Sequence, residues 1–365
     1  MRILFLTNYA SPYRVEFFNE LGKFCDVIVL FTDKTIEQKH RSKKWFNSQN
    51  YSNFKYVQLV KKIGFKNKNI YLDVFKYLNK NYDKIIICGY SSPTTMIVIQ
   101  YLKLKKIPFY IEVDGGLTKQ DSWLKYKIKK YFISSATKWF SSGKETTKYL
   151  IHYDADKNKV IEYPFTSLKE QDILKQLLTE QEKINLRKEL NLKEEKIIIS
   201  VGQFIHRKGY DVLIKAMQNL DKKNIGVYII GDTPTQEYLN LQKQFNLTNL
   251  HFVGFKTKEE LKKYYMAADL FVLPTREDIW GLVINEAMSM GLPIITTDKC
   301  VAGLELVENE INGYVIPTES SEILAEKIKQ IFSENYKQMG QNSLNKIRIY
   351  TIENMVKKHL KEFKD

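Results

Sequence analysis

Short uninterrupted apolar runs recur along the whole chain, and helix-length segments separate many of them. In the first half, "RILFLTN", "DVIVLFT", "KIIICGY", "PFYIEVD", "KWFSSG" and "KVIEYPF" read as strands, with "SPYRVEFFNELGKF" and "SPTTMIVIQYLKLKK" as helices between them. The second half repeats the grammar in "KIIISVGQF", "NIGVYIIGD", "LHFVGF", "DLFVLPT" and "LPIITTD". A strand that is apolar at every position is buried on both faces, the condition of a parallel sheet covered by helices on each side. With 365 residues, more than one core usually serves, the pattern implies an α/β protein of two Rossmann-like domains. Their parallel sheets are expected to face each other across a deep cleft. The boundaries fall at 1–165 and 166–349, and the charged, glycine-free stretch from about Thr166 to Lys196 is expected to carry the crossing.

Composition excludes several classes. Apolar residues make up 44% and charged residues 27%, which fits neither a disordered nor a fibrous chain. No apolar run reaches membrane-spanning length, and "MRILFLTNYASPYR" reads as a first strand and not a signal peptide. Cys25, Cys88 and Cys300 are far apart, which suits a reducing cytoplasm better than a disulfide framework. The five histidines, His40, His152, His206, His251 and His359, lack metal-ligand spacing, and "DAD" at Asp154–Asp156 reads as a surface turn. Residues 1–165 hold 29 Lys and Arg against 14 Asp and Glu, whereas 166–365 hold 28 of each. The whole excess of +15 therefore lies in the first half, which points that half towards an anionic partner.

Ligands of open parallel sheets sit where strands end and helices begin. "SVGQFIHRKGYDVLIKAM" runs from a strand through Gly202 and Gln203 into a basic loop with Arg207 and Lys208. Cations at a helix start oppose its dipole unless an anion joins them. "DLFVLPTREDIWGLVINEAMSMGLPIITTD" places Asp278 in a loop and starts a helix near Gly281, with N–H groups from Ile279, Trp280, Gly281 and Leu282 open to a phosphate. Glu286, one turn inside that helix, suits a ribose diol, although a lone helical acid more commonly pairs with a neighbour. A third loop, Gly254, Phe255 and Lys256, offers backbone groups to a base.

Together these segments resemble the nucleotide-binding half of GT-B glycosyltransferases of family 4, the large retaining group. "GQFIHRKG" is similar to the family's Gly-Arg-…-Lys-Gly element, and Asp278 with Glu286 matches its acid-x7-Glu signature. The likeness is strong over 196–300 and weaker through "GYVIPTES" and "YTIENMVKKHLKEF". It implies a nucleotide-sugar donor, no metal or other cofactor, and an acceptor hydroxyl attacking on the leaving-group face. Lys208 would then neutralise the departing diphosphate, Glu286 would hold the ribose, and Asp278 would orient the donor sugar. It also implies that a C-terminal helix, about 350–365, packs back on the N-terminal domain. Two departures stand out: Gln203 occupies a usual arginine position, and Asp278 replaces a glutamate.

The first half speaks more softly. Asp114, in "IEVDGGL", is a catalytic candidate or simply shapes its turn, and Arg14 is a possible substitute phosphate contact. "SWLKYKIKKYF" interleaves Trp123 and other aromatics with Lys125, Lys127, Lys129 and Lys130, as a peripheral patch on an anionic membrane would. The expected acceptor is a saccharide, in one version lipid-diphosphate-linked, for cell-surface polysaccharide synthesis at the inner face of the membrane. The alternatives left open are a sugar-nucleotide epimerase on the same fold and a non-catalytic sugar-nucleotide binder. Nucleic acid is not an expected partner.

Overall fold

The computed structural model describes residues 1–33, 51–65, 68–221, 223–333 and 336–364. They form two units, 1–167 with 351–365, and 168–350.

The first unit runs β1 (Arg2–Thr7), α1 (Pro12–Leu21), β2 (Asp26–Phe31), β3 (Lys55–Gln58), β4 (Lys62–Phe65), β5 (Lys68–Tyr71), β6 (Lys84–Cys88), α2 (Pro93–Leu104), β7 (Tyr110–Val113), α3 (Trp123–Ile133), β8 (Lys138–Ser141), α4 (Lys144–His152) and β9 (Val160–Glu162). Seven of the strands make one parallel sheet in the order β3-β2-β1-β6-β7-β8-β9. The interior strand β1 is sealed, with Ile3, Leu4, Phe5 and Leu6 fully buried, as a doubly covered strand requires. Local chemistry fixes the helix starts. Pro12 opens α1 after Ser11, and Ser92 caps α2 in a reciprocal box with Thr95. The edge strand β3 and the antiparallel hairpin β4–β5 have no counterpart in the sequence reading. Their lysine-rich, partly exposed segments lack the continuous apolar run that marks the buried strands.

The second unit contains α5 (Glu180–Glu189), β10 (Lys196–Val201), α6 (Tyr210–Ala216), β11 (Ile225–Ile230), α7 (Gln236–Gln244), β12 (Leu250–Val253), α8 (Lys258–Ala267), β13 (Leu270–Leu273), α9 (Leu282–Ser289), β14 (Ile294–Thr297), α10 (Val301–Leu306), β15 (Gly313–Ile316), α11 (Ser321–Ser333) and α12 (Tyr336–Ile347). Its six strands are parallel in the order β12-β11-β10-β13-β14-β15. The stretch expected to carry the crossing is instead largely built into this unit. Thr179 caps α5 through Glu182, and α5 packs on α8. Arg187 grips Asp269 with two bonds of 2.7 Å, and Lys183 adds a third at 3.2 Å. A final helix, α13 (Ile352–Lys364), belongs to the first unit and packs on α1.

Candidate functional site

The carboxyl ends of β10 and β13 lie side by side, because the two strands are neighbours in the sheet. After β10 the chain passes Gly202 and Gln203 and makes a tight 3-10 turn at His206–Lys208 before α6. Gly209 joins the turn to the helix at φ 69°, and a Cβ there would stand 2.0 Å from the Pro274 carbonyl oxygen. Only glycine permits that approach between the two loops.

Four polar contacts zip the loops together. Thr275 Oγ1 and the Arg276 N–H donate to the Arg207 carbonyl at 2.9 and 2.8 Å. Arg276 Nη1 donates to the His206 carbonyl, and Arg207 Nη1 to the Glu277 carbonyl, both at 2.6 Å. The result is a direct ion pair: Lys208 Nζ lies 2.7 Å from Asp278 Oδ2, with Arg207 Nη1 at 3.4 Å. Both Lys208 and Asp278 are buried. Burial alone would push the Asp278 carboxyl up, but Lys208 outweighs it and holds the group below its ordinary value.

The loop continues into α9 through Trp280, whose indole N–H donates to Asn285 Oδ1 at 2.9 Å with both side chains buried. The Trp280 backbone N–H bonds the Asp278 carboxylate. One of the four N–H groups expected to stand open to phosphate is therefore already engaged. Ile279 is exposed, whereas Gly281, at φ 105°, caps α9 ahead of Leu282. Glu286 is half-buried on the same side of α9 as Leu282 and Val283, and Tyr265 donates to its Oε2 at 3.2 Å. The sequence pattern places an acid inside an apolar helix; the fold turns it to that helix's wetter face. Burial, reinforced by Glu286, pushes the Tyr265 hydroxyl well above its usual range. Gly254, Phe255 and Lys256 follow β12 at the same end of the sheet; a Cβ on Gly254 would meet open space. The structure thus brings Arg207, Lys208 and Asp278 into contact and sets Glu286 one turn along α9. The Trp280–Asn285 bond escaped the sequence reading, since an apolar-looking "WGLVIN" carries no mark of it.

In the first unit, Asp114 directly follows β7 and accepts two bonds of 2.7 Å from Arg14 Nη2 and one of 2.7 Å from Tyr13 Oη. Arg14 is buried; its Nη1 also reaches Glu112 Oε1 at 3.4 Å and the Cys88 sulfur at 3.1 Å. The guanidinium faces carboxylates of its own sheet, so the phosphate contact expected of Arg14 requires that cluster to open. Tyr163 Oη adds a bond to Glu112 at 3.3 Å. Burial raises the Glu112 carboxyl, but His359 and then Arg14 outweigh it and bring it below its ordinary value. Residues 14, 112, 163 and 359 share no local motif, and sequence reasoning missed the cluster.

Helix α3 presents Trp123 and Leu124 at 73% and 62% exposure, followed by exposed Ile128 and Tyr131. Its four lysines are not all open to an anionic surface. Lys125 and Lys129 pair with Asp121 at 2.9 and 2.8 Å, and Lys130 pairs with Asp154 at 2.5 Å. Lys127 lies over the Trp123 ring at 5.8 Å. Among the described residues, no helix is long and apolar enough to cross a membrane, and no group of three or more His, Cys, Asp or Glu could hold a metal ion. His40 lies outside the described residues.

This arrangement of strands and loops is that of a known class. Residues 182–346 match the family model of glycosyl transferases group 1. That stretch is similar to this family of glycosyltransferases, and the chain as a whole has the GT-B fold of two Rossmann-like domains. It is 32% identical to an uncharacterized glycosyltransferase of Methanocaldococcus jannaschii over 162 residues, which are 43% of this chain and 41% of that protein. It is also 32% identical to the amylovoran biosynthesis glycosyltransferase AmsK of Erwinia amylovora over 164 residues, 40% of this chain and 38% of that one. The matches therefore span less than half the length of these curated relatives. Among solved structures, Anabaena Alr3699/HepE in complex with UDP aligns with a TM-score of 0.78 at 15% identity, covering 100% of both chains.

Proposed function

We propose that the protein transfers a sugar from a nucleotide-sugar donor to a hydroxyl of a saccharide acceptor, retaining the anomeric configuration and using no metal. The contact between Lys208 and Asp278 carries the reading. Without ligand, Asp278 neutralises a buried lysine at a strand end. A diphosphate entering beside Lys208 and Arg207 competes for those cations and releases Asp278 to accept hydrogen bonds from the donor sugar. Fixed charge aimed at the leaving diphosphate stabilises it without reorganisation, and one such group typically contributes about 3–4 kcal/mol of barrier lowering. Glu286 meets the ribose, and the loop Gly254–Lys256 meets the base. The N-terminal domain, 1–165 with the returning C-terminal helix, takes the acceptor.

A thermal-shift screen against UDP-, GDP-, ADP- and dTDP-sugars tests the donor, because a ligand that binds only the native state raises the melting temperature. Lys208→Ala and Glu286→Ala should each cut transfer at least about 100-fold; unchanged transfer in both sinks the assignment. Conversion of a sugar nucleotide to its epimer with no acceptor present would indicate the epimerase, and binding without turnover the sensor. EDTA should leave the rate unchanged.

The similarity to an amylovoran biosynthesis enzyme supports a polysaccharide-building role, and the exposed α3 stripe supports a lipid-linked acceptor at the cytoplasmic face of a membrane. Aromatic and aliphatic side chains beside lysines enter a headgroup region while the charges meet anionic lipid. Trp123→Ala with Leu124→Ala and Lys127→Gln should abolish sedimentation with phosphatidylglycerol vesicles; undiminished binding would remove the membrane from the reading.

A further inference from the structure

Arg276 lies beside the proposed donor site, yet its guanidinium has nothing left to offer a ligand. An arginine side chain carries five N–H donors, and all five are engaged. Nη1 and Nη2 hold Asp211 at 2.9 and 2.8 Å. Nε and Nη2 hold Glu319, the latter at 2.9 Å. The remaining Nη1 donor takes the His206 carbonyl at 2.6 Å, and the backbone N–H takes the Arg207 carbonyl at 2.8 Å. The side chain is only 16% exposed.

Two of these acceptors are backbone carbonyls of the 3-10 turn that carries Arg207 and Lys208. Arg276 thus fixes the height of that turn, while the two carboxylates fix Arg276. Asp211 is rigidly placed in the first turn of α6. Glu319 comes from the loop between β15 and α11, which supplies none of the residues assigned to the donor. Its backbone is held at φ 62°, a left-handed conformation that is costly for a non-glycine residue and persists only where the surroundings demand it.

We propose that Arg276 is a positioning residue for the phosphate-binding turn, with Glu319 as its remote anchor, so that the loop after β15 sets the affinity for a nucleoside diphosphate. This rests on the donor reading above. The geometry implies a specific division of effects. Loosening the clamp displaces Lys208 and Arg207 and weakens contacts to phosphate, whereas the ribose and base contacts, on α9 and after β12, stay in place.

The test is calorimetric or ligand-observed titration with UDP, GDP, ADP and dTDP and with the matching nucleosides, on wild type, Arg276→Gln, Arg276→Lys and Glu319→Gln. For the diphosphate that binds wild type, Arg276→Gln should lose about ten-fold or more in affinity, equivalent to about 1.4 kcal/mol. Nucleoside affinity should be unchanged, and Arg276→Lys should recover part of the loss. Glu319→Gln, on the more exposed side of the clamp, should lose about three-fold and serves should Arg276→Gln not fold. Equal diphosphate affinity in wild type and variants, or equal losses for diphosphate and nucleoside, overturns the clamp and leaves the donor reading standing. Failure of wild type to bind any of the four diphosphates overturns both.

Discussion

Nε2 of His359 lies 3.7 Å from Oε2 of Glu112, and both side chains are sealed inside the first unit. The ring's other nitrogen, Nδ1, is 2.8 Å from the Met355 carbonyl, which can only accept, so Nδ1 carries a hydrogen. Phe140 stacks on the ring at 4.2 Å and 14°. At 3.7 Å Nε2 and Oε2 do not hydrogen-bond, and neither has a hydrogen-bond partner. His359→Phe keeps the aromatic packing but strips the carboxylate of that neighbour. It should destabilise the protein by about 0.5–3 kcal/mol, because the buried carboxylate loses a group that favours its ionised form. A urea melt reads the change, and an unshifted midpoint would show the pair to be inert.

Acid should unfold the protein through carboxylates held low by cations. Burial opposes ionisation at Asp278 and Asp211, yet Lys208 and Arg276 bring each below the ordinary 3.8. Burial likewise opposes ionisation at Glu112 and Glu194, yet His359 and His251 lead the groups that bring each below 4.5. A carboxyl whose folded pKa is depressed binds fewer protons in the native than in the unfolded state between the two values. Its stabilising contribution is complete above the ordinary value and drains as pH falls through the folded one. Urea midpoints should therefore be level with respect to these groups above about pH 5.5 and fall steeply below about pH 4.5. A midpoint that rises on acidification would contradict the sign.

Lys208 and Asp278 should show coupled stability. Removing either leaves the other buried without that partner, with Arg207 still near Asp278 at 3.4 Å. Lys208→Met and Asp278→Asn should each destabilise, and the double variant should cost less than their sum by about 0.5–3 kcal/mol, the range for residues in contact. Simple additivity in denaturant titrations would mean that the pair contributes nothing to the free protein.

Trp280→Phe should lower stability by about 1–3 kcal/mol, since Asn285 Oδ1 would lose the indole donor in a site without exposure. Adding Asn285→Leu to Trp280→Phe should recover much of the loss, because removing both polar partners is gentler than removing one. Differential scanning calorimetry measures both variants; a further fall in the pair would refute the argument.

The second sheet and its loops were legible because their signals are local. A continuous apolar run, then Gly202 with a basic loop, or Pro274 with Asp278 and Gly281, each spell a strand end inside one short window. The first-unit cluster was illegible for the opposite reason: Arg14, Glu112, Tyr163 and His359 meet only after four distant segments have packed. Helix α5 hid differently. It buries no side chain fully, so no apolar stripe marks it, and bonds from Lys183 and Arg187 to Asp269 help hold it in place. On α3 the lysine spacing was visible, but the partners Asp121 and Asp154, which tie up three of the four, were not apparent.

Because α13 is translated after the whole of residues 168–350 yet completes the first unit, that unit emerges from the ribosome unfinished. Phe17, Phe140 and the Glu112 carboxylate await His359 and its neighbours while an entire second unit is being made. Nascent chains therefore carry an uncovered seam until α13 emerges. A fragment ending at residue 167 would keep that seam permanently open, a recipe for clumping that the chain escapes only once α13 has been made.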